Sequence, residues 1–382
     1  MGRLPPVSRR QILGGAAAVA AAGFPMINTG SFALFAASPV TYSRRAVDLV
    51  RASLVVDMLA VLKIADSPDF YGAPMTTQDE ADFRACGITG FHHSVGTGGP
   101  TAHEDSLLWI TESAGYMARA PQLFTMVDKA ADLDKAKRDG KIAVIVGLQN
   151  SEHFRSVEDV KLFHQLGQRV SQLTYNSQNL LGSGSTERVD GGVTDYGAAI
   201  IKAMNDTGML VDVSHCGPQT TLDGIALSSK PIAITHSNCR ALVDHPRLKT
   251  DAAIKALAAK GGVMGITGVR MFVSAKEPTA VPQIVDHIDH VAKLVGVEHV
   301  GIGSDADLNG YEDMPAKDYA ALKAAYKASY AFREKIDTDG YDHPKKIYDL
   351  TEELIRRGYS DADIAAILGG NFRRLLGEVW GG

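Results

Sequence analysis

Short apolar runs recur along the chain and define its pattern. They are rich in Val, Ile and Leu and do not alternate with polar residues, which is typical of strands in a parallel sheet that is buried on both faces. Nine runs have this pattern: residues 53–59, 87–95, 122–128, 141–148, 169–175, 208–214, 230–237, 261–267 and 298–305. We therefore expect a buried parallel sheet.

Segments with helical periodicity lie between these runs. In TDYGAAIIKAMNDTG, Ile200, Ile201 and Met204 follow helical spacing. Gly208 marks the end of this helix, and Thr250 is a candidate N-cap for a later one. Strands that alternate with helices predict an α/β fold, a TIM-like (β/α)8 barrel. A barrel needs eight strands, so one of the early runs is expected to be an extra strand.

The C-terminal region also has a helical pattern. Residues 312–336 are rich in Ala and Lys and predict a helix that caps the mouth or the flank of the barrel. Residues 360–380 predict another helix, with Ser360 as N-cap and Asp363 as its partner in a capping box. This region therefore needs no second domain.

Three residues that commonly bind metals stand at the ends of apolar runs. His215 and His236 each follow such a run, and Asp305 ends a third. A lone histidine in this position is usually a polar cap to the sheet. Three such residues at strand ends favour a shared site, because catalytic groups of a barrel gather at the carboxyl rim. Imidazole and carboxylate together suit zinc or a similar divalent ion, which indicates a metal-dependent hydrolase.

Composition narrows the choice of partners. The 382 residues are 45% hydrophobic, with 44 acidic and 39 basic side chains. This composition shows no excess of basic residues that would favour binding to nucleic acid. Three cysteines are too few for a disulfide framework. Cys216 and Cys239 lie close to the two histidines in sequence, and either a bridge between them or a pair of small buried groups fits this placement.

The first residues have the pattern of an export signal. Arg9 and Arg10 precede an Ala-rich apolar run that is too short for a good membrane span. We expect a twin-arginine signal at residues 1–37 and the barrel at 38–382, with an uncleaved anchor as the alternative. Such a signal implies the twin-arginine export machinery as a partner and a periplasmic or secreted protein.

Longer stretches resemble the membrane (renal) dipeptidases, zinc-dependent barrel enzymes that hydrolyse dipeptides. The resemblance runs over almost all of the mature chain, and its best stretches include RVSQLTYNSQN, KPIAITHSNCRALVDHPR and EHVGIGSDADLNG. It implies that His215 and His236 are the two histidine ligands of the second zinc and that Asp305 is the carboxylate at the first. It also implies that Arg247 holds the carboxylate of the substrate, which suits the fork of arginine.

The chain departs from this family's pattern at four positions. Leu59 and Val61 stand where the family has a His-x-Asp pair of metal ligands. Gln149 replaces a bridging glutamate, and Tyr175 replaces a histidine that touches the substrate. Each lost anionic ligand removes charge that would offset a second cation.

These departures predict one metal ion per chain. His215, His236, Asp305 and Gln149 remain as ligands for Zn2+ or another divalent ion, and Asp305 can serve as ligand, base or both. The first hypothesis is hydrolysis of dipeptides or related small amides. The second is an altered barrel that binds or modifies a peptide-like or secondary-metabolite ligand without hydrolysing dipeptides. Whether the chain forms a homodimer stays open.

Other ionisable residues are weaker candidates. His92 and His93 are adjacent on a predicted strand, so at most one can face the mouth. Glu152 and His153 either compensate for the missing glutamate or form a solvated loop pair. Asp57 is expected to bind backbone groups rather than metal.

The export signal gives the first testable prediction. Changing both Arg9 and Arg10 to Lys should leave the precursor inside the cell, because the twin-arginine pathway reads that pair. Fractionation and immunoblotting of cells that express the double variant would show this. Export at the level of the unchanged protein would contradict the twin-arginine interpretation.

Overall fold

Parallel strands form the centre of the protein, as seen in a computed structural model that describes residues 31–33, 41–60, 69–311 and 314–381. The strands are β1 Ser31–Ala33, β2 Thr41–Ser43, β3 Val56–Asp57, β4 Gly90–Val95, β5 Phe124–Met126, β6 Ile142–Leu148, β7 Gln168–Gln172, β8 Leu210–Asp212, β9 Ala233–Ser237, β10 Val263–Ile266 and β11 Val300–Ile302. Each of the nine predicted runs overlaps one of the strands from β3 to β11. β1 and β2 form a separate antiparallel pair.

Eight of these strands close into a barrel. The order runs from β4 through β3 and β11 down to β6, and pairing between β4 and β6 closes the ring. All of these pairings are parallel. The predicted (β/α)8 barrel is therefore confirmed.

β5 is the extra strand that the count of runs predicted. It pairs with residues 142–144 of β6, whereas β7 pairs with residues 146–148. Because β4 occupies the other edge of β6, β5 and β7 share one edge between them. Arg169 of β7 donates from Nε to the Asp128 carbonyl at 2.8 Å, which ties the end of β5 to β7.

Helices surround the barrel and continue to the C-terminus. They are α1 Arg44–Ala52, α2 Asp69–Gly72, α3 Thr77–Ala85, α4 Ala102–Ala118, α5 Ala131–Asp139, α6 Val157–Gln165, α7 Asp195–Thr207, α8 Pro218–Leu227, α9 Asp251–Ala259, α10 Arg270–Val273, α11 Val281–Val295, α12 Ala316–Ala324, α13 Lys346–Arg356, α14 Asp361–Ala365 and α15 Asn371–Trp380. Short 3-10 turns span Val297–His299 and Ala328–Tyr330, and a π turn spans Ala366–Gly370. No helix in the described ranges is long and apolar enough to cross a membrane.

The predicted caps at Thr250, Gly208 and Ser360 are confirmed, whereas Asp363 accepts from the Ser360 hydroxyl and not from its backbone N–H as a capping box requires. The side chains of Thr250 and Ser360 accept hydrogen bonds from Ala253 and Asp363 at the starts of α9 and α14. Gly208 ends α7 in the left-handed conformation, with a φ of 82°. Arg9, Arg10 and the rest of the predicted export signal lie outside the described residues, apart from 31–33.

Apolar side chains fill the amino end of the barrel. Val170, Leu210 and Val263 form a fully buried cluster with Phe372 and Leu376 of α15. The C-terminal helix thus plugs the end of the barrel opposite to the carboxyl rim. The polar side chains lie instead at the carboxyl rim.

The predicted helix over 312–336 is shorter in the structure. α12 ends at Ala324, and the chain continues through the turn Ala328–Tyr330 without another helix up to residue 336. Aromatic residues follow α12 closely, and their packing against Val243 and Phe272 competes with helical continuation. We call residues 314–336 the lid segment, because they cover the cavity at the carboxyl rim.

Close packing between strand ends gives the second prediction. A Cβ on Gly265 of β10 would lie 2.0 Å from the Thr235 carbonyl oxygen. We expect Gly265→Ala to lower the free energy of unfolding by at least about 1–3 kcal/mol, because backbone must move to admit the methyl group. Urea titration measures this change.

Gly115→Ala is the matched control. Gly115 lies within α4, and the nearest atom to its added Cβ would be Arg119 Nη1 at 3.9 Å. The free energy of unfolding should therefore rise by about 0.5–1 kcal/mol. Equal stability of the two variants would contradict the close packing of β9 and β10.

Candidate active site

The carboxyl rim brings most of the predicted site residues to one cavity. This cavity has a volume of about 690 Å³, and Gln149, Tyr175, His215 and Asp305 line it. Gln149 follows β6, Tyr175 follows β7, and His215 and Asp305 follow β8 and β11. His236 lies within β9 and reaches the same place through its contact with His215.

The two histidines face each other. Their Nε2 atoms are 2.9 Å apart, and both side chains are buried. Their ring centroids are 5.0 Å apart, with planes inclined by 59°. What this contact means depends on which ring nitrogens hold protons.

The hydrogen-bond network assigns the tautomer of His236. Thr235 donates its hydroxyl to Asp212 Oδ2 at 2.6 Å. The Thr235 oxygen can then accept from His236 Nδ1, which lies 2.8 Å away. With its proton on Nδ1, neutral His236 has a lone pair on Nε2.

Asn176 fixes His215 in the same way. His215 Nδ1 lies 2.8 Å from Asn176 Oδ1, which also accepts from the Ser185 hydroxyl. Asn176 holds this position in a left-handed conformation, with a φ of 59°. The proton of His215 is therefore on Nδ1, and two Nε2 lone pairs face each other. That arrangement is repulsive unless a cation binds to both.

Burial keeps the two histidines neutral, and neighbouring basic side chains add to its effect. Burial lowers the pKa of His215 well below its ordinary value, and Arg247 and Lys249 lower it further. Burial, Arg247 and Lys249 have the same effect on the pKa of His236. Neutral imidazole is the form that binds metal ions.

The two facing imidazoles could hold a divalent ion. Two imidazole lone pairs 2.9 Å apart can both reach an ion at the usual nitrogen–zinc distance of about 2.0–2.1 Å. In the part of the chain that the structure describes, no three His, Cys, Asp or Glu residues form a metal-binding group. At the end of β3, Leu59 is buried and offers no ligand atom; Val61 lies outside the described residues.

Arg247 lies behind the histidines rather than along the cavity. It donates from Nη2 to the His236 carbonyl at 3.1 Å and from Nη1 to the Ser214 carbonyl. Its side chain is buried and lies over the ring of Phe272. In this structure Arg247 holds the backbone of both histidine loops, and its contact with a substrate carboxylate stays a prediction.

Tyr175 links the histidines to the lid segment. Its ring stacks on His215 with centroids 4.3 Å apart, and its hydroxyl lies 2.7 Å from that of Tyr326. Sequence reasoning missed Tyr326 and Asn176. The run of aromatic residues after α12 and an asparagine beside Tyr175 were the available signals.

The structure shows the positions of the weaker candidate residues. His92 points into the barrel, with Nδ1 2.8 Å from the Met58 carbonyl, whereas the ring of His93 lies outside it, 4.8 Å from the ring of Trp109 between centroids. Thus at most one faces inward, as predicted. Asp57 accepts from the backbone N–H groups of Leu59 and Ser304, as expected.

The loop after β6 matches neither alternative. His153 is buried, and its Nδ1 lies 2.9 Å from the Asn150 carbonyl, so it is not solvated. Glu152 accepts from the Gly99 backbone at 3.2 Å and does not line the cavity. Cys216 and Cys239 are free and buried, which confirms the interpretation as small buried groups.

A parallel barrel with imidazole and carboxylate groups at its carboxyl rim is the architecture of a metal-dependent hydrolase. Residues 76–325 and 332–380 match the membrane dipeptidase family, peptidase family M19. The chain belongs to this family, which confirms the resemblance found in the sequence.

Individual relatives agree with this assignment. Dipeptidase verJ of Clonostachys rogersoniana is 32% identical over 245 residues, which are 63% of this chain and 56% of that protein. The chain thus matches little more than half the length of that relative. An amidohydrolase from Pseudomonas aeruginosa has a similar structure, with a TM-score of 0.78 and 29% identity over 88% of this chain and 99% of that one. The probable dipeptidase PvdM from the same organism shares the fold, with a TM-score of 0.72 and 21% identity over 88% and 98% of the two chains.

Proposed function

We propose that this protein hydrolyses dipeptides or related small amides with the help of one divalent ion, most simply Zn2+. The observation that supports this most strongly is the pair of Nε2 lone pairs of His215 and His236, 2.9 Å apart beside the cavity. Membership of the membrane dipeptidase family and the name of dipeptidase verJ point the same way.

The histidine pair and Asp305 have separate roles in the proposed reaction. His215 and His236 would hold the ion, which when bound would polarise the attacking water and make its proton easier to remove. Asp305 lines the cavity and acts as the base that takes the proton of the attacking water. Burial raises the pKa of Asp305 to about 6, while Arg247 opposes this rise. A pKa near 6 leaves the carboxylate ionised at neutral pH and makes it a better base.

The second candidate is an altered barrel that binds or modifies a peptide-like ligand without hydrolysing dipeptides. Leu59 and Gln149 favour it, because neither side chain has the negative charge that a second cation would need. The cavity can bind a ligand in either case, so the two candidate functions differ in whether the protein hydrolyses dipeptides.

Export is part of the proposal. The signal at residues 1–37 would carry the folded protein through the twin-arginine machinery to the periplasm or the outside. An enzyme there would meet small peptides as substrates.

Metal content tests the proposed site. The purified protein should hold about one zinc ion per chain, and His215→Ala or His236→Ala should lose that ion together with turnover, because each removes one of two facing ligands. Elemental analysis by mass spectrometry measures the content. His290→Ala, a change at a surface histidine paired with Asp251, should keep the ion. Two tightly held ions per chain would contradict the single site.

The pKa of Asp305 predicts the acid limb of activity. As a base, Asp305 must be ionised, so kcat/KM should fall about tenfold per pH unit below pH 6 and level off above it. Asp305→Asn should lower kcat by about 10²–10⁴-fold and remove this limb. Initial rates between pH 4.5 and 8 give the profile.

Asp206→Asn is the control for this experiment. Asp206 pairs with Lys202 on the exposed face of α7, so its replacement should leave the profile unchanged. An acid limb that persists in Asp305→Asn would exclude Asp305 as its source.

A further inference from the structure

Three aromatic rings of the lid segment form one wall of the cavity. Tyr326 lies 4.6 Å from Tyr330 and 5.1 Å from Phe332, measured between ring centroids, and the last two are 5.0 Å apart. All three residues line the cavity. We call them the aromatic wall.

The wall is held in place from behind. Tyr330 is 5% exposed and packs edge-on against Phe272, with centroids 5.4 Å apart. His245 Nε2 lies 2.9 Å from the Tyr330 carbonyl. These contacts fix the rings before any ligand enters, and a preformed apolar surface spares a ligand the cost of ordering it.

The wall stands next to the proposed reacting centre. Tyr326 meets Tyr175 through their hydroxyl groups at 2.7 Å, and Tyr175 stacks on His215. One side chain therefore separates the wall from the histidine pair. A substrate whose bond lies at the histidines would place a neighbouring side chain against the wall.

The cavity offers little to a charged side chain. Among its described lining residues, Asp305 and Lys327 are the charged ones. Asp305 is taken up by the proposed chemistry, and Lys327 Nζ lies 3.3 Å from Glu187. A charged substrate side chain would thus lose hydration without gaining a free partner, which is costly.

We propose that the aromatic wall is the side-chain subsite of this enzyme and selects dipeptides with a large neutral apolar residue, above all an aromatic one. This inference rests on the proposed function and names its substrate class. A volume of about 690 Å³ leaves room for such a side chain beside the peptide unit. Aromatic groups also gain from edge-on and offset contacts with rings that are already in place.

Substrate pairs test the proposal on the unchanged protein. We expect kcat/KM for Gly–Phe to exceed that for Gly–Ala at least tenfold and that for Gly–Lys by more, with Phe–Gly, Ala–Gly and Lys–Gly as the reversed set. A preference of this size in either set supports the subsite. Equal values for Phe and Ala in both sets, or a preference for Lys, would overturn it.

Variants of the wall locate the preference. Phe332→Ala and Tyr326→Ala should reduce the ratio of Phe to Ala substrates at least fivefold, mainly through KM, whereas Tyr326→Phe keeps the ring and should preserve it. Leu108→Ala, at a leucine 57% exposed on α4, is the control and should leave the ratio unchanged. Loss of the preference in that control would refute a local subsite.

Binding measurements distinguish failure of this inference from failure of the proposed function. If the protein turns over no dipeptide, hydrolysis fails as the function, and calorimetry with Gly–Phe and Gly–Ala then tests the wall directly. Tighter binding of Gly–Phe that is lost in Phe332→Ala supports the wall. Equal or undetectable binding of both at millimolar concentration overturns it. Should a variant fail to fold, the comparison on the unchanged protein decides.

Discussion

Asp212 at the end of β8 fixes the geometry on which the site depends. Its buried Oδ1 accepts from the backbone N–H groups of Ser214 and Thr235, at 2.9 and 3.0 Å, and its Oδ2 accepts from the Thr235 hydroxyl. One carboxylate thus joins two neighbouring strand ends and orients the hydroxyl that assigns the proton of His236. Without Asp212 the proton of His236 would not be fixed on Nδ1, and its Nε2 lone pair would not be held towards His215.

Two buried basic side chains stabilise the irregular backbone of the same rim. Lys249 donates from Nζ to the carbonyls of Val213 and Cys216, at 2.6 and 2.9 Å, and Arg247 donates to those of Ser214 and His236. Carbonyls that leave a sheet need such partners, because an unpaired buried carbonyl costs about 1–3 kcal/mol. The chain beyond β8 and β9 can therefore turn sharply and still hold its side chains in place.

Much of the fold could be predicted from the sequence, because strands that are buried on both faces consist of unbroken runs of apolar residues. All nine strands of the main sheet, the extra one among them, and the caps at Thr250, Gly208 and Ser360 were predictable on that basis. The contact of His215 with Asn176 and the turn of the lid segment after Ala324 were not. Both depend on tertiary packing: Asn176 adopts a left-handed conformation, and the aromatic rings after α12 pack against Phe272 instead of extending a helix.

The buried charge of Arg247 also affects the charge balance of the site when an ion is bound. A divalent ion between two neutral histidines, with Arg247 behind them, would face a surplus of positive charge. That surplus favours an anion on the open side, such as an ionised Asp305 or the carboxylate end of a dipeptide. Ion and anionic ligand should therefore bind with positive cooperativity, and by linkage each raises the affinity of the other by the same factor. The protein would retain its ion most firmly while a substrate is bound.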